Sequence, residues 1–520
     1  MEIWSWICNL PGSEDWSESN PPLTLQLASS PTQSIHLKAE RTSGSNAEAL
    51  VTFSICIEGF FNTSNDQKTL WVSDACPLSS DKPFLPLVLQ LLQEVILRAP
   101  NGNVSTCPRS QLRKLKPEPV SWVLDSHSPE SFSGFFDFVF LMRLFWLCVC
   151  DAPSEVGSLY FHSLLGPNIE GLSWKHAPVL RTFFVSVGVD VELCLVRSLG
   201  YMLAKWLILR EANGAGLGQL VPLPTLGFCY AGETHGFWTL KGYAPVMSMN
   251  CTRVDKKRSL YPIVEAKESA LRYALAHQQL EAVVQLEYSV EFCEGFIRVS
   301  AGVDNLRFHV AKLGFNKNEE DPYANERHFP SRIRVWVGPE VGATYVAHMS
   351  LGRSTDNVEK EIETQKMVKG NFEKSKLPRV KSTSRTSTRT KVKNWRWDQD
   401  VEGNAAIFEA ILCDNMTGAE TATWNPSIGD SRKPGLGFQK RYTGVNRPFS
   451  KNGSIVFARD EYGESVVWRL SKEMEGSVLK WRIGGRVWLS YWPCDVKSCY
   501  FETRCVEWCD EVDLPLIPNK

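Results

Sequence analysis

Apolar and polar residues alternate with a period of two through much of this chain, the signature of half-buried strands. Ile35, Leu37 and Ala39 alternate with His36 and Lys38, and Val51, Phe53, Ile55 and Ile57 alternate with Thr52, Ser54 and Cys56. The Gly/Ser/Asn-rich loop 43–48 between them makes the two runs a hairpin. The clearest strand comes later, where Val284, Leu286, Tyr288, Val290 and Phe292 alternate with Gln285, Glu287, Ser289 and Glu291. Ile297–Ala301 and Leu306–Val310 follow, and Gly302-Val-Asp-Asn305 between them predicts a second hairpin. Ile333–Val337 adds a strand stopped by Gly338-Pro339. Towards the C-terminus, Ala405–Cys413, Ile455–Arg459, Val466–Leu470, Val478–Ile483, Arg486–Trp492 and Tyr500–Trp508 read as strands. Gly484-Gly485 reads as a two-residue turn or a bulge.

Three stretches predict helices. Leu85–Leu97 is bounded by Pro83 and Pro100-Asn-Gly, Asp190–Glu211 runs into the stop signal Asn213-Gly214, and Glu265–His277 is the third. Residues 100–131, rich in Pro and Ser, read as a long connection. Phe135–Cys150 and Val191–Leu209 are strongly apolar, but Asp137 and Arg143 interrupt the first and Glu192, Arg197 and Lys205 the second. Neither offers the roughly 18–20 nearly charge-free residues of a spanning helix. Both read as buried core, and no transmembrane segment is expected.

One segment has a different character. From Lys366 to Arg396 there are eleven Lys/Arg against the single acid Glu373, and the centre reads Lys-Ser-Thr-Ser-Arg-Thr-Ser-Thr-Arg-Thr-Lys. High local charge with low hydrophobicity predicts disorder, because little apolar surface offsets the entropy of ordering. The expected fold class is therefore α+β, mostly β: an extended antiparallel sheet or β-sandwich with a few packed helices and a long disordered basic loop. The expected organisation is an N-terminal hairpin and helix region with its Pro/Ser-rich connection (1–131), a mixed region with antiparallel strands (132–350), a basic Ser/Thr-rich tether (351–397) and a Trp-rich β region (398–520) packed on the middle one.

Composition narrows the function classes. The formal net charge is −1, so attraction to nucleic acid or membrane must come from a local patch. Eight of the eighteen tryptophans lie between Trp395 and Trp508, where they suit half-buried sheet surfaces and interface anchors. The opening residues lack a secretory signal, so the fifteen cysteines read as reduced and the protein as intracellular, in cytoplasm or nucleus. The Asn-x-Ser/Thr triplets at Asn62, Asn103, Asn250, Asn415 and Asn452 are then chance matches.

Glu326-Arg-His-Phe-Pro-Ser-Arg-Ile-Arg-Val-Trp-Val-Gly-Pro-Glu340 and the 435–509 tail resemble large uncharacterised proteins of land plants. The resemblance covers most of 180–515 and implies no activity, cofactor or catalytic residue.

The candidate motifs are sparse. Gly214-Ala-Gly216-Leu-Gly218 follows a helix instead of a strand, so it reads as a helix stop and not a dinucleotide loop. Gly435-Leu-Gly437 lacks the Lys-Ser/Thr of a phosphate-binding loop. Cys494, Cys499, Cys505 and Cys509 are the densest thiol cluster, and four thiolates can close a zinc site. Their spacing lacks the paired short knuckles of structural zinc, and alternation through Cys505 suits packing, so no metal is assigned. His235, beside Glu233, reads as a structural turn histidine, with a general base as the alternative.

No hydrolase or metalloprotease signature is present in the sequence, and no catalytic residue or cofactor is assigned. The polar sides of the central strands carry Arg298, Arg307, His309, Arg332 and Arg334, which would form one anion-binding surface if those strands were neighbours. In the basic tether Ser382, Ser384 and Ser387 are phosphorylation candidates, since nearby basic residues favour many basic-directed kinases. The expected function is a non-enzymatic β-rich interaction or scaffold protein with a protein partner. Two alternatives stand beside it: a peripheral module binding anionic lipid, or RNA, through the basic tether, and an enzyme without a linear motif.

Overall fold

The computed structural model describes residues 2–12, 16, 20–43, 48–60, 67–100, 115–152, 154–169, 177–213, 227–246, 278–313, 327–352, 360–371, 381–392, 395–413, 420–423, 454–459, 463–491 and 502–518; at 154, 208–213, 360–371, 381–392 and 502 the description is of backbone alone. The chain forms two units, one of 1–230, 242–281 and 310–324, the other of 231–241, 282–309 and 325–520. The Glu265–His277 helix, Cys494, Cys499 and both glycine motifs lie outside the described residues.

The first unit joins a meander to a helical core. Strands β1 (Leu23–Ser29), β2 (Ser34–Ser43), β3 (Ala49–Glu58) and β4 (Gln67–Val72) pair antiparallel in chain order, and β5 (Cys76–Pro77) pairs with β3. The expected hairpin is β2–β3. One face buries Ile35, Leu37, Ala39, Val51, Phe53, Ile55 and Ile57. Helix α1 (Ile3–Cys8) precedes the sheet and α2 (Leu85–Leu97) follows it with the bounds read from sequence. The Pro/Ser-rich stretch expected as a connection instead holds α3 (Pro117–Ser126) and the start of α4 (Pro129–Phe145). Proline is tolerated in a helix's first turn, where its missing N–H has no partner to lose, and Ser128 caps α4 by accepting from the Ser131 N–H.

Helix α4 continues as a π-helical segment, Trp146–Asp151, and is buried on every side from Phe135 to Cys148. By length and composition 129–151 would cross a membrane, but 83% of its apolar window is buried inside the protein. A helix apolar all round belongs in a core, and each buried Phe contributes about 1.5–3 kcal/mol relative to exposure. Its two buried charges are handled individually. Arg143 pairs with Glu94, which also accepts from Trp71 Nε1 at 2.9 Å. Asp137 accepts from the backbone N–H groups of Ile3 at 3.2 Å and Trp4 at 3.3 Å, holding the first turn of α1. Burial pushes the Asp137 carboxyl up to about 7, with those N–H groups opposing the rise.

Short helices α5 (Ser154–Leu159) and α6 (Gly166–Ile169) lead to α7 (Ala177–Val187) and α8 (Val189–Asn213). On α8, Glu192 is buried and accepts from Tyr230 and Tyr243, each at 2.6 Å, while Arg197 forks onto Glu281 at 2.7 and 3.0 Å. These bonds compensate charges that burial alone would penalise heavily.

The second unit is a β-sandwich. One sheet runs β11 (Val346–Leu351), β17 (Ser465–Ser471), β9 (Phe296–Lys312), β8 (Gln278–Phe292), β7 (Phe237–Val246), β6 (Phe228–Thr234), with β16 (Ser454–Ala458) also on β9; the unit boundary falls within β6–β9. The other runs β14 (Trp395–Glu402), β15 (Ala405–Leu412), β10 (Phe329–Gly338), β18 (Val478–Tyr491), β19 (Glu502–Pro515). Rings close the space between them. Trp481 lies 4.8 Å from Trp468 and 5.6 Å from Trp238, which stacks on Tyr288 at 4.3 Å. At another point Phe457 meets Trp397 at 4.6 Å. The architecture is the expected one: mostly β, antiparallel, with packed helices.

Two expected turns are not turns. Gly302–Asn305 lies inside the continuous β9, which pairs β17 through 296–302 and β16 through 305–309. The buried side switches from odd residues (Val299, Ala301, Val303) to even ones (Leu306, Phe308, Val310), as one extra residue in a bulge requires. Gly484-Gly485 likewise lies mid-strand in β18. There the indole of Trp336 sits where a side chain would be: a Cβ on Gly484 would come within 2.1 Å of it.

The basic segment also departs from expectation. Residues expected to be a disordered loop form two paired strands, β12 (Lys360–Asn371) and β13 (Lys381–Val392), with 372–380 outside the described residues. Eight of the 24 strand positions are Thr, Ile or Val, and such β-branched residues favour extended backbone despite the charge.

Candidate functional site

The five cationic residues expected on one surface are divided between two sheets. Arg298, Arg307 and His309 are on β9; Arg332 and Arg334 are on β10, in the opposite layer. Arg298 reaches Glu291 at 3.4 Å, Arg307 donates to Asn305 Oδ1 at 3.3 Å, and His309 Nδ1 bonds the Ser454 hydroxyl. A single anion site of all five is therefore excluded by strand order, which one-sequence reasoning does not supply.

What β10 does build is a charged row across its own sheet. Register places Asp398, Glu409, Arg334, Arg486 and Glu507 side by side on β14, β15, β10, β18 and β19, with Arg396, Ile411, Arg332, Trp488 and Cys505 in the row two residues along. Glu409 Oε1 accepts from Arg332 Nε at 2.8 Å and Arg334 Nε at 3.0 Å. Burial opposes its charge, but the two guanidinium groups outweigh that and hold the carboxyl below its usual range. Glu420 lies 3.5 Å from Arg332 and 3.4 Å from Arg396, and Arg396 donates to Asp398 at 2.9 Å. Arg332 and Arg486 stack on Trp488 at 5.0 and 5.8 Å, and Arg486 also bonds Glu507 at 2.5 Å. The anion expected at Arg332 and Arg334 is thus already present, as the protein's own Glu409. A lone acid inside the apolar run Ala405–Cys413 was the available signal for it.

The remaining candidates resolve locally. Thr234-His235-Gly236-Phe237 is a two-residue hairpin turn, with φ of 49° at His235 and 86° at Gly236. Glu233 accepts from the Gly236 N–H and the Tyr288 hydroxyl, at 3.2 and 2.9 Å, and these bonds fix the turn. Cys505 and Cys509 lie four residues apart on β19, about 13 Å of extended chain, too far to ligate one ion together. Among the described residues no group of three or more His, Cys, Asp or Glu is placed to hold a metal.

The arm β12–β13 is the feature with a distinct chemistry. Its register runs from Lys360 opposite Val392 to Asn371 opposite Lys381, twelve residues per strand and so about 40 Å. Alternation sorts the residues by face. Even positions carry Ile362, Thr364, Val368, Gly370, Ser382, Ser384, Thr386, Thr388, Thr390 and Val392, with Lys360 and Lys366 as their charges; odd positions carry Glu361, Glu363, Lys369, Lys381, Arg385, Arg389 and Lys391.

Charge is also sorted along the length. Glu361 stands opposite Lys391 and Glu363 opposite Arg389 at the base, whereas the far half holds Lys366, Lys369, Lys381 and Arg385 and no acid. Of the serine candidates, Ser382 stands opposite Gly370, Ser384 opposite Val368 and Ser387 opposite Gln365.

No family model matches the chain, and no curated protein matches it. Among solved structures it aligns with the NetB toxin of Clostridium perfringens in its membrane-inserted form at 8% identity, over 55% of this chain and 94% of that one, TM-score 0.20. It aligns with Clostridium perfringens delta-toxin at 9% identity, over 55% and 96%, TM-score 0.22, and with a pore forming protein at 12% identity, over 44% and 90%, TM-score 0.19. Alignments this loose decide nothing about fold or activity.

Proposed function

We propose that this is a non-enzymatic, peripheral protein whose β-sandwich presents a cationic β-arm to an anionic lipid surface. The observation that carries the reading is the sorting of charge along the arm: acids at the base, and four cations with no acid in the far half. A protein of net charge −1 gains no general attraction to such a surface, so a local patch is the form an attraction must take. Each Lys or Arg brought to an anionic leaflet contributes about 1 kcal/mol, so four contribute about 4 kcal/mol, or roughly a thousandfold in affinity. The cytoplasmic leaflet is the anionic one, which accords with the intracellular location expected from the cysteines. Phosphates at Ser382 and Ser384, each adding about −1.5 to −2 charge, would cancel most of the far half's charge and release the arm.

Co-sedimentation of the full chain with phosphatidylserine vesicles, against phosphatidylcholine vesicles, tests the reading. Binding should require the anionic lipid, fall steeply between low and high salt, and drop at least a hundredfold when Lys366, Lys369, Lys381 and Arg385 are all changed to Gln. Equal binding to both vesicle types, or by both proteins, would refute it.

A second reading has its own observation. Trp336 and Trp488 are half-buried on the outer face of the five-stranded sheet among Arg332, Arg334 and Arg486, and Trp with Arg is the composition of protein-interface centres. If a protein partner docks there, Trp488→Ala should weaken its capture while leaving vesicle binding unchanged.

A further inference from the structure

β12 and β13 pair with each other and with no other described strand, so each leaves one edge without a described partner. A two-stranded ribbon is marginal on its own in water, and an open edge invites another strand. The charges along each edge decide which strand. When a strand pairs antiparallel with a second copy of itself about a two-fold axis, every residue keeps its face, so opposed residues share parity.

For β13 every near-complete pairing of this kind is repulsive. An axis at Arg385 sets Arg385 against itself, at Thr386 sets Lys381 against Lys391, at Ser387 sets Arg385 against Arg389, and at Thr388 sets Arg385 against Lys391. Like charges directly opposite are destabilising.

For β12 the outcome is the reverse. An axis at Gln365 sets Glu361 opposite Lys369 twice, Ile362 opposite Val368, Glu363 opposite Met367 and Thr364 opposite Lys366, with Gln365 on itself. Its only like-charge approach is diagonal, between the two Lys366 residues at about 7–8 Å. Moving the axis to Lys366 sets that lysine against itself, and moving it to Thr364 leaves no acid opposite a cation.

We propose that β12 pairs with β12 of a second copy of this chain, antiparallel about Gln365, giving a four-stranded arm that stops at two copies because the outer β13 edges repel their own kind. A closed two-fold dimer is the commonest assembly, and here it satisfies the inner edge of both copies at once. The dimer also doubles the number of cations the arm presents.

Light scattering and site-directed cross-linking on the full chain test this. The 58.7 kDa chain should run at twice its mass. Gln365→Cys should form an intermolecular disulfide under mild oxidation, located as a 365–365 peptide by mass spectrometry and missing from the unsubstituted chain with its native cysteines. Lys369→Glu should weaken the dimer at least tenfold, because it sets a new carboxylate against Glu361 of the second copy; within its own hairpin position 369 stands opposite Thr383 with Lys381 and Arg385 diagonal to it, so the substitution brings no like charges together in the arm itself.

A monomer at all concentrations, a dimer indifferent to Lys369→Glu, or a dimer without the 365–365 link would overturn the proposal. So would a 365–387 link formed on mixing the Gln365→Cys and Ser387→Cys chains, since it would mean head-to-tail pairing of β12 with β13 of the next copy.

Discussion

Removing Glu409 tests whether the arginines of β10 belong to a self-satisfied network or to an open anion site. The carboxylate is nearly buried and takes two N–H donors on one oxygen, from Arg332 at 2.8 Å and Arg334 at 3.0 Å. Each such charge-assisted bond is worth about 1.5–3 kcal/mol when broken. The arginine side chains are 20% and 28% exposed, so water screens part of that loss, and Arg332 keeps Glu420 and Trp488. Glu409→Ala is therefore expected to cost about 2–3 kcal/mol, and Glu409→Gln about half as much, since its carbonyl still accepts both bonds without the charge.

The sign of the pH dependence follows from the depressed carboxyl. Its contribution is complete above the ordinary carboxylate pKa of 4.5 and is lost as pH falls through the lower folded value; the Ala variant should lack that acid limb. Urea unfolding followed by tryptophan fluorescence is the assay, because Trp468 and Trp481 report from the core of the same unit. Sulfate, against NaCl of equal ionic strength, should restore part of the stability of Glu409→Ala by taking the carboxylate's place, and should do little to the unsubstituted chain. An Ala variant within about 0.5 kcal/mol of the parent, the range of an ordinary surface change, would refute the argument. So would an equal sulfate effect on both proteins, which would mean the guanidinium pair was open to anions all along.

Three further outcomes are expected. Asp137 has its folded carboxyl raised from 3.8 to about 7, so the native state binds the extra proton and stability from this group falls as pH rises between about 4 and 7. Asp137→Asn should flatten that slope and stabilise the protein at pH 8 by up to about 4 kcal/mol, read as the difference in thermal midpoints across pH. Gly484→Ala should displace the Trp336 indole and cost about 1–3 kcal/mol with a red-shifted emission, whereas Gly485→Ala, whose Cβ meets its nearest atom at 3.8 Å, should be silent. Amides of β12 and β13 that bond across the register should exchange with deuterium markedly slower than an unstructured peptide of the same sequence; exchange at the peptide rate would return the segment to the disordered class.

Alternation located most of the sandwich strands and the β2–β3 hairpin, because burial on one face leaves a period of two that nothing else in a globular chain imitates. It failed where turn chemistry was taken as sufficient. Gly302-Val-Asp-Asn305 has the composition of a turn, yet β16 and β17 pair with the two halves of β9 and carry the chain straight through with one residue bulged. Gly484 marks a place where a neighbouring strand's indole needs room, which is the other meaning of glycine inside a strand. The Arg set failed for a different reason. Consecutive strands tend to be neighbours, but β9 and β10 fall in opposite layers, and only the strand order decides whether Arg307 and Arg332 can meet. The partner that matters, Glu409, is 75 residues from Arg334 in the chain.

The basic arm shows two sequence rules in direct conflict. Mean composition counts the Lys and Arg of 366–396 and assigns disorder, while position counts what stands opposite what. Once Lys360–Asn371 is laid against Lys381–Val392, the charges cease to be a uniform cloud. The two acids fall across from Lys391 and Arg389, the hydroxyls and β-branched residues gather on the even positions, and the excess cations are pushed to the far end. Net charge is the same in both descriptions; only the register separates a repulsive tether from a ribbon with a nearly neutral base and a cationic tip. The same register separates an edge that can accept its own copy from one that cannot, so the residues that made the segment look unstructured are the ones that would limit its assembly.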